Sequence, residues 1–504
     1  MKNMQPLIYA ILIAIGVYVG STKKASTIYS KSKLNNIMEM INQHYVDSIN
    51  YSILEDDAIT SILNELDPHS SYISVKNLKN LEEDMQGSFS GIGVEFNIIE
   101  DSIVVVSPIS GGPSEKLGIQ SGDRIISVEK ENVASTGIKN EGVIKRLRGE
   151  KGSPVNITIK RTGQDELIPF TIIRDNIPLY SVDAGIMITN EIGYIKINRF
   201  AATTYDEMME KANKLKIQGM QKLIIDFRGN PGGYLHIANQ ICDEFLEKGE
   251  LIVFTEGRNR TKQEIFATQK GALENMPVSI LINEGSASAS EIVSGALQDN
   301  DRGIVIGRRS FGKGLVQEQI NLNDGSAIRL TTQRYYTPSG RCIQKDYGKN
   351  TKDYYLEQYT RKDSLKHHPD NLKFSTKNGR VVYGGGGITP DIIIKRDTNL
   401  NYLEINKMIQ KGWINKFCFE QAQLLKKQKV SNYKQINMNN IYREFMKYIK
   451  RKDHLFKGEL GNTELKYLKN LLLATISRGV WDNDTYYRII SAEDEYIQRA
   501  ITSF

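Results

Sequence analysis

A chain of 504 residues is too long for one hydrophobic core, so several domains are expected; 40% hydrophobic and 25% charged residues exclude wholesale disorder and a polytopic membrane protein. The 66 lysines and arginines against 59 acidic residues leave a net charge of +7, too thinly spread to argue for nucleic acid as a partner. Cys242, Cys342 and Cys418 are widely spaced and form neither a disulfide framework nor a CxxC site, and the histidines form no ligand-spaced set, so no metal is expected.

In chain order, a short basic start is followed by a charge-free run over residues 6–20. That run is shorter than the roughly 20 residues of a spanning helix, so 1–25 is expected to be a signal peptide or a membrane anchor, with the bulk of the chain exported. Over 26–87, Leu34, Ile37, Met38 and Ile41, then Ile59, Ile62, Leu63 and Leu66, recur at helical spacing and predict two helices. Residues 88–175 read as a small β-rich unit with a short helix near 140–147 and a strand over 155–161. From 176 to 395 short buried strands (192–197, 222–226, 278–283, 303–307) alternate with helices, which predicts an α/β core; 345–385 reads as an irregular polar excursion. Residues 396–504 are expected to form a helical extension.

Three serines compete in Asn283-Glu-Gly-Ser-Ala-Ser-Ala-Ser-Glu-Ile292, where a strand ends and a helix begins. Ser288 reads either as the cap of a capping box reciprocated by Glu291, or as a nucleophile at a helix N-terminus, where N–H groups and the helix dipole stabilise an oxyanion. Two groups could serve as its base: His236, if the fold brings it close, or Lys313 between two glycines. Lysine must be neutral near pH 7 to do this, whereas an ordinary one titrates near ~10.4, so burial is required. Gly307 to Lys313 also has the spacing of a phosphate loop, but Gly314 stands where Ser or Thr should bind magnesium, and a strand follows. In Asp226-Phe-Arg-Gly-Asn-Pro-Gly-Gly-Tyr234, the pair Gly232 and Gly233 offers backbone donors for an oxyanion together with the N–H of Ala289; a plain tight turn is the alternative.

Taken together, Leu66-Asp-Pro-His-Ser-Ser-Tyr72, Asp226-Phe-Arg-Gly-Asn-Pro-Gly-Gly233, Gly285-Ser-Ala-Ser-Ala-Ser-Glu291, Phe311-Gly-Lys-Gly314 with Gln317, and Gly385-Gly-Gly-Ile-Thr-Pro-Asp391 resemble the carboxyl-terminal processing peptidases of family S41. The resemblance covers about residues 35–395. It implies a multidomain α/β protein with a crotonase-like protease core, an inserted PDZ domain and helical N- and C-terminal regions. By position it implies Ser288 as nucleophile, Lys313 as base and Gln317 as the residue that orients the lysine. Residues 88–165 are similar to a PDZ domain, with Ser90-Gly-Ile-Gly-Val-Glu-Phe96 as carboxylate loop and groove strand, so that Gly91, Ile92 and Gly93 receive a C-terminal carboxylate. Arg148 matches an arginine that in some members couples tail binding to activity. The implied enzyme is a serine endopeptidase acting on extracytoplasmic proteins near their C-termini, without cofactor, in the periplasm or cell envelope. Its expected partners are peptides with free C-termini, the membrane through residues 6–20, and a second copy of itself. The rival readings are a Ser-His PDZ protease using His236 and a PDZ scaffold without catalysis.

Overall fold

The computed structural model describes Ala10 and residues 33–504, except 110, 349, 362–369, 397–401, 455 and 457–459. The apolar run over 6–20, Ala10 apart, thus lies outside the described residues. The chain divides into two units, 1–72 and 73–504. Among the described residues no helix is long and apolar enough to cross a membrane, and no cluster of His, Cys, Asp and Glu has the makings of a metal site.

In the first unit the expected pair of helices runs Lys33–His44 and Tyr51–Asn64. The second starts where the Asn50 side chain accepts from the Ile53 N–H. The Leu66 to Tyr72 motif resolves as a side-chain-capped turn: Asp67 Oδ1 accepts from the N–H groups of His69 (2.8 Å) and Ser70 (2.9 Å).

The second unit begins with the helix Val75–Gln86, closed by Gly87 at φ 73°. A β-rich domain follows. Its antiparallel sheet has the order Val94–Ile98, Ile103–Pro108, Arg124–Val128, Pro154–Lys160, Ile168–Ile173, which leaves Val94–Ile98 at an edge. Ile103, Ile125, Val155, Ile159 and Ile172 fill its core beneath the helix Asn140–Leu147.

The α/β core is a second sheet, in which Ile192–Ile197, Lys222–Asp226, Val278–Ile282, Gly303–Gly307 and Ile392–Ile393 run parallel and Val182–Met187 pairs antiparallel at one edge. Side chains alternate across it, as strand geometry requires. Ile195, Ile225, Ile280, Ile282 and Val305 meet the helices Thr204–Ile217, Leu235–Asp243 and Ala289–Asp299 on one face. Tyr194, Ile224, Leu281 and Ile306 point to the other. Both faces are apolar, so both must be covered.

The cover of the second face comes from the far end of the chain. Helices Leu403–Gln410, Trp413–Lys427, Met438–Lys452 and Asn462–Val480 bury Phe417, Phe445, Leu468 and Leu472 in a bundle of their own. The helices Asn483–Ser491 and Glu495–Ile501 instead return to the sheet, where Tyr496, Ile497 and Ala500 pack with Tyr194, Ile224, Leu281 and Ile306. The extension is therefore helical, as expected, but its end is part of the core. The excursion at 345–385 is also more regular than its polar composition suggests. It holds the helix Thr351–Thr360, capped by Asn350 and anchored by buried Tyr354 against Phe311, and the hairpin Lys373–Ser375 with Val381–Tyr383.

Ile224 lies on the face that the tail covers. Ile224→Ala should therefore cost about 2–5 kcal/mol, the usual loss for a fully buried side chain, in urea unfolding; a change below about 0.5 kcal/mol would mean that the face is open to water.

Candidate active site

The strand Val278–Ile282 ends in a turn that delivers Ser288 to the first turn of the helix Ala289–Asp299. The three serines separate by their partners. The Ser286 hydroxyl donates to the Phe227 carbonyl (2.8 Å) and accepts from the Asn283 N–H (2.9 Å), and the Ser290 hydroxyl donates to the Asn230 carbonyl (3.0 Å); both residues are fully buried. Ser288 is half-buried and sits at φ 54°, ψ −113°, a conformation that costs a non-glycine residue about 1–3 kcal/mol. Strain of this kind is what lifts a nucleophile out of a strand-to-helix turn.

The capping box expected at Ser288 is present on the Glu291 side, and it reaches further than a helix cap. Glu291 is fully buried, and its Oε2 accepts from the Ser288 N–H at 2.8 Å and from the Lys313 N–H at 2.9 Å. Its Oε1 accepts from the Gly312 N–H (2.7 Å) and the Ser310 hydroxyl. The backbone nitrogens of Ser288 and Lys313 therefore share one oxygen, and their separation cannot exceed the sum of those two distances. Burial outweighs the hydrogen bonds from Ser310, Lys313, Gly312 and Ser288, so the Glu291 carboxyl is held above its usual range.

Lys313 is half-buried on a loop after the strand Gly303–Gly307, and its Nζ donates to Gln317 Oε1 at 2.7 Å. Gly312, at φ 90°, lies so close to the 385–387 glycines that a Cβ there would stand 3.0 Å from the Gly387 nitrogen. The Ser310 hydroxyl accepts from the Ile388 N–H at 2.6 Å. The phosphate-loop spacing is thus a packing requirement between two glycine-bearing segments. His236 is exposed on the first turn of the helix Leu235–Asp243 with its ring 5.0 Å from that of Tyr234, and among the described residues no hydrogen bond joins it to Ser288.

The loop after Lys222–Asp226 lies against the turn that carries Ser288. A Cβ on Gly232, at φ 99°, would fall 2.7 Å from the Ala287 carbonyl oxygen and 2.8 Å from Ser288 Cβ, so only glycine fits. Its N–H is not available to a substrate: it donates to Asn230 Oδ1 at 2.8 Å. The N–H groups of Gly233 and Ala289 have no acceptor among the described residues and are the donors left for an oxyanion. Sequence reasoning assigned Asn230 no role. Fully buried, it donates from Nδ2 to the Ile197 carbonyl (3.0 Å), and its own carbonyl accepts from the Ala287 N–H (2.9 Å) and the Ser290 hydroxyl. It clasps the two loops together.

At the root of this loop Asp226 is buried and paired with Arg228, whose Nε stands 3.0 Å from both carboxylate oxygens and whose Nη2 stands 2.6 Å from Oδ2. Lys196 Nζ lies 3.3 Å from Oδ1, and the Tyr194 hydroxyl donates to Oδ2 at 2.8 Å. Burial alone would raise the Asp226 carboxyl, but Arg228 and Lys196 outweigh it and hold the group far below the usual carboxylate range.

In the β-rich domain, Gly91 and Ile92 are buried and Gly93 has φ 73°; the loop is fixed by the Ile92 carbonyl, which accepts from the Ser114 N–H at 3.1 Å. It leads into the edge strand Val94–Ile98. Arg148 reaches the helix Val75–Gln86: Nη1 lies 2.6 Å from Glu83 Oε2, and the guanidinium sits 4.0 Å over the Phe89 ring.

Two outcomes follow for the buried carboxylates. Glu291→Gln turns an amide NH2 toward N–H donors, so kcat should fall about 100-fold, as for a misplacement of about 1 Å, with the circular dichroism spectrum unchanged; unaltered turnover would remove the carboxylate from the site's geometry. Asp226→Asn should cost about 3–5 kcal/mol at neutral pH by breaking a buried pair. Because the folded Asp226 carboxyl binds its proton more weakly than the unfolded one, its stabilisation is complete above ~3.9 and drains away at lower pH. The gap between wild type and variant in urea unfolding should shrink below about pH 4; a constant gap from pH 7 to pH 3 would contradict the ion pair.

Residues 191–355 match the model of peptidase family S41, and residues 90–172 match a PDZ domain. Among solved structures the chain is similar to a photosystem II D1 C-terminal processing protease, at 25% identity over 72% of this chain and 86% of that one, with a TM-score of 0.37. It is 37% identical over 340 residues to the carboxy-terminal-processing protease of Bartonella bacilliformis, covering 66% of this chain and 77% of the relative. It is 36% identical over 332 residues to the carboxy-terminal processing protease CtpB of Bacillus subtilis, covering 65% and 68%. On the family models and these two relatives, the chain belongs to peptidase family S41 and is a serine-type peptidase of the carboxy-terminal processing kind that carries a PDZ domain.

Proposed function

We propose that the protein cleaves extracytoplasmic proteins near or from their C-termini by a Ser288–Lys313 dyad, with the PDZ domain binding the substrate's C-terminal tail. The observation that carries this reading is the oxygen of Glu291 shared by the backbone N–H groups of Ser288 and Lys313. Ser286 and Ser290, by contrast, spend their hydroxyls on backbone carbonyls.

In this mechanism Lys313 Nζ takes the Ser288 proton as Oγ attacks the scissile carbonyl carbon. The carbonyl oxygen becomes an oxyanion, met by the N–H groups of Gly233 and Ala289 at the positive end of the helix Ala289–Asp299. Protonated Lys313 gives its proton to the departing amine, leaving an acyl-Ser288 ester. Water, deprotonated by the same lysine, then hydrolyses the ester and restores Ser288. Gln317 Oε1, 2.7 Å from Lys313 Nζ, orients the amine.

A substrate tail would add as a strand to the edge Val94–Ile98, its carboxylate on the amides of Ile92 and Gly93. Arg148, between the PDZ helix Asn140–Leu147 and Glu83, is the residue through which tail binding would be felt by the protease core. Residues 6–20 would direct the enzyme out of the cytoplasm or anchor it there.

On an unfolded substrate with an apolar C-terminus, Ser288→Ala should abolish cleavage and Lys313→Ala should lower kcat by about 10²- to 10⁴-fold, the usual worth of a general base. Amidating the substrate's terminal carboxylate should raise KM. Cleavage by Ser288→Ala at the wild-type rate would overturn the dyad, and an unchanged KM would overturn tail binding.

A further inference from the structure

The last residues of the chain do more than cover a sheet. Three loops carry the catalytic groups: 226–233 with the Gly233 amide, 283–288 with Ser288, and 307–313 with Lys313. At the root of the first, Arg228 reaches past Asp226 and places Nη1 2.8 Å from Asp494 Oδ2. Asp494 is itself held, since its Oδ1 accepts from the N–H groups of Tyr496 (2.9 Å) and Ile497 (3.3 Å) at the start of the helix Glu495–Ile501. The Tyr496 ring lies 4.6 Å beneath the Arg228 guanidinium and 5.5 Å from that of Arg308.

Arg308 connects the other two loops. It follows Gly307 directly, and its Nε and Nη2 bond Glu284 Oε1 (2.7 Å) and Oε2 (3.0 Å), four residues before Ser288. The ring of Tyr496 also presses on the backbone of Gly307, where a Cβ would lie 2.9 Å from Tyr496 Cε1. One aromatic ring and one carboxylate from the last helix therefore touch the roots of the first and third loops directly, and reach the second through the Arg308–Glu284 pair.

This contact is built rather than incidental. Tyr496 and Ile497 are buried, and the chain end is fastened beyond them: the Ser503 hydroxyl lies 3.3 Å from that of Ser279, and Lys222 Nζ stands 5.5 Å from the Phe504 ring centroid. Cationic groups over an aromatic face gain from being partly desolvated, and Arg228, at 19% side-chain exposure, meets that condition. The match to the S41 model ends at 355, well short of this segment.

We propose that residues 494–504 are a positioning element of the active site, in which Asp494 and Tyr496 act through Arg228 and Arg308 to hold the oxyanion loop and the lysine loop at working distance from Ser288. This rests on Ser288, Lys313 and the Gly233 amide being the catalytic groups. The tail touches no substrate; it sets where those groups stand. Its loss is therefore felt in kcat and in the rate of acylation, with little change in KM, because the PDZ groove and its edge strand lie on other elements.

The test compares full-length variants after counting competent sites by fluorophosphonate titration. Asp494→Ala and Tyr496→Leu should each lower kcat per titrated site by about 10- to 100-fold, the range for a misplacement of about 1 Å, with KM within about twofold of wild type. Tyr496→Phe keeps the ring and should restore most of the loss. Asp484→Ala is the control for a structural role: it removes the tail's contacts to the Gly185 N–H and to Lys211, away from the loops, and should lower the unfolding midpoint while leaving kcat per site unchanged. If Asp494→Ala and Tyr496→Leu keep the wild-type kcat per site, or if Asp484→Ala loses kcat as they do, the proposal is overturned. Should Ser288→Ala still take up the fluorophosphonate, the dyad itself fails, which is a separate result.

Discussion

The active site hangs on one buried carboxylate. Taking Glu291 out of water costs several kcal/mol as an isolated ion, and the cost is offset only where every lone pair is met by a well-placed donor. Here the donors are the N–H groups of Ser288, Gly312 and Lys313 and the hydroxyl of Ser310. Three of the four come from the loop that bears Lys313 and one from Ser288. The electrostatic demand of the carboxylate is thus what brings the loops together, and charge-assisted hydrogen bonds are strong enough to hold Ser288 in its strained conformation.

Around that centre the remaining contacts remove freedom in turn. Asn230 clasps the glycine-rich loop to the Ser288 turn and occupies the Gly232 amide, which leaves the Gly233 and Ala289 amides without an acceptor among the described residues. Gly232 and Gly312 let backbones approach where any side chain would collide. The Asp226–Arg228 pair fixes the root of the same loop from below, and the sheet that carries all of these loops is closed on its second face by the end of the chain. A serine peptidase of this kind needs donors, base and nucleophile preorganised before substrate arrives, since no reorganisation energy is then spent at the moment of attack.

Much of this was legible in the sequence where the signal was local. The alternation of short apolar strands with helices located the parallel sheet, and the break at Gly87 marks the end of the helix Val75–Gln86. The roles proposed for Ser288, Lys313 and Gln317 rest on ordered motifs, to which the structure adds the bond from Lys313 Nζ to Gln317 Oε1. Glu291 was visible only as half of a capping box, because its second and third partners lie about twenty residues away across a loop. Gly232 was read as a donor because its neighbour Asn230 gives no hint in sequence that its side chain turns back to take that amide. The docking of residues 494–504 was illegible for the same reason: Asp494 and Arg228 are far apart in the chain, and amphipathic periodicity states that a helix has an apolar face without stating what it covers.

The most direct measurement of the central claim is to map, by mass spectrometry, where a fluorophosphonate attaches to the intact protein, and to repeat this with Lys313→Ala. A single adduct on the peptide that contains Ser288, formed quickly in the wild type and at a background rate without the lysine, is what a serine activated by Lys313 produces. An adduct on another residue, or labelling of Ser288 at the same rate in both proteins, would contradict it.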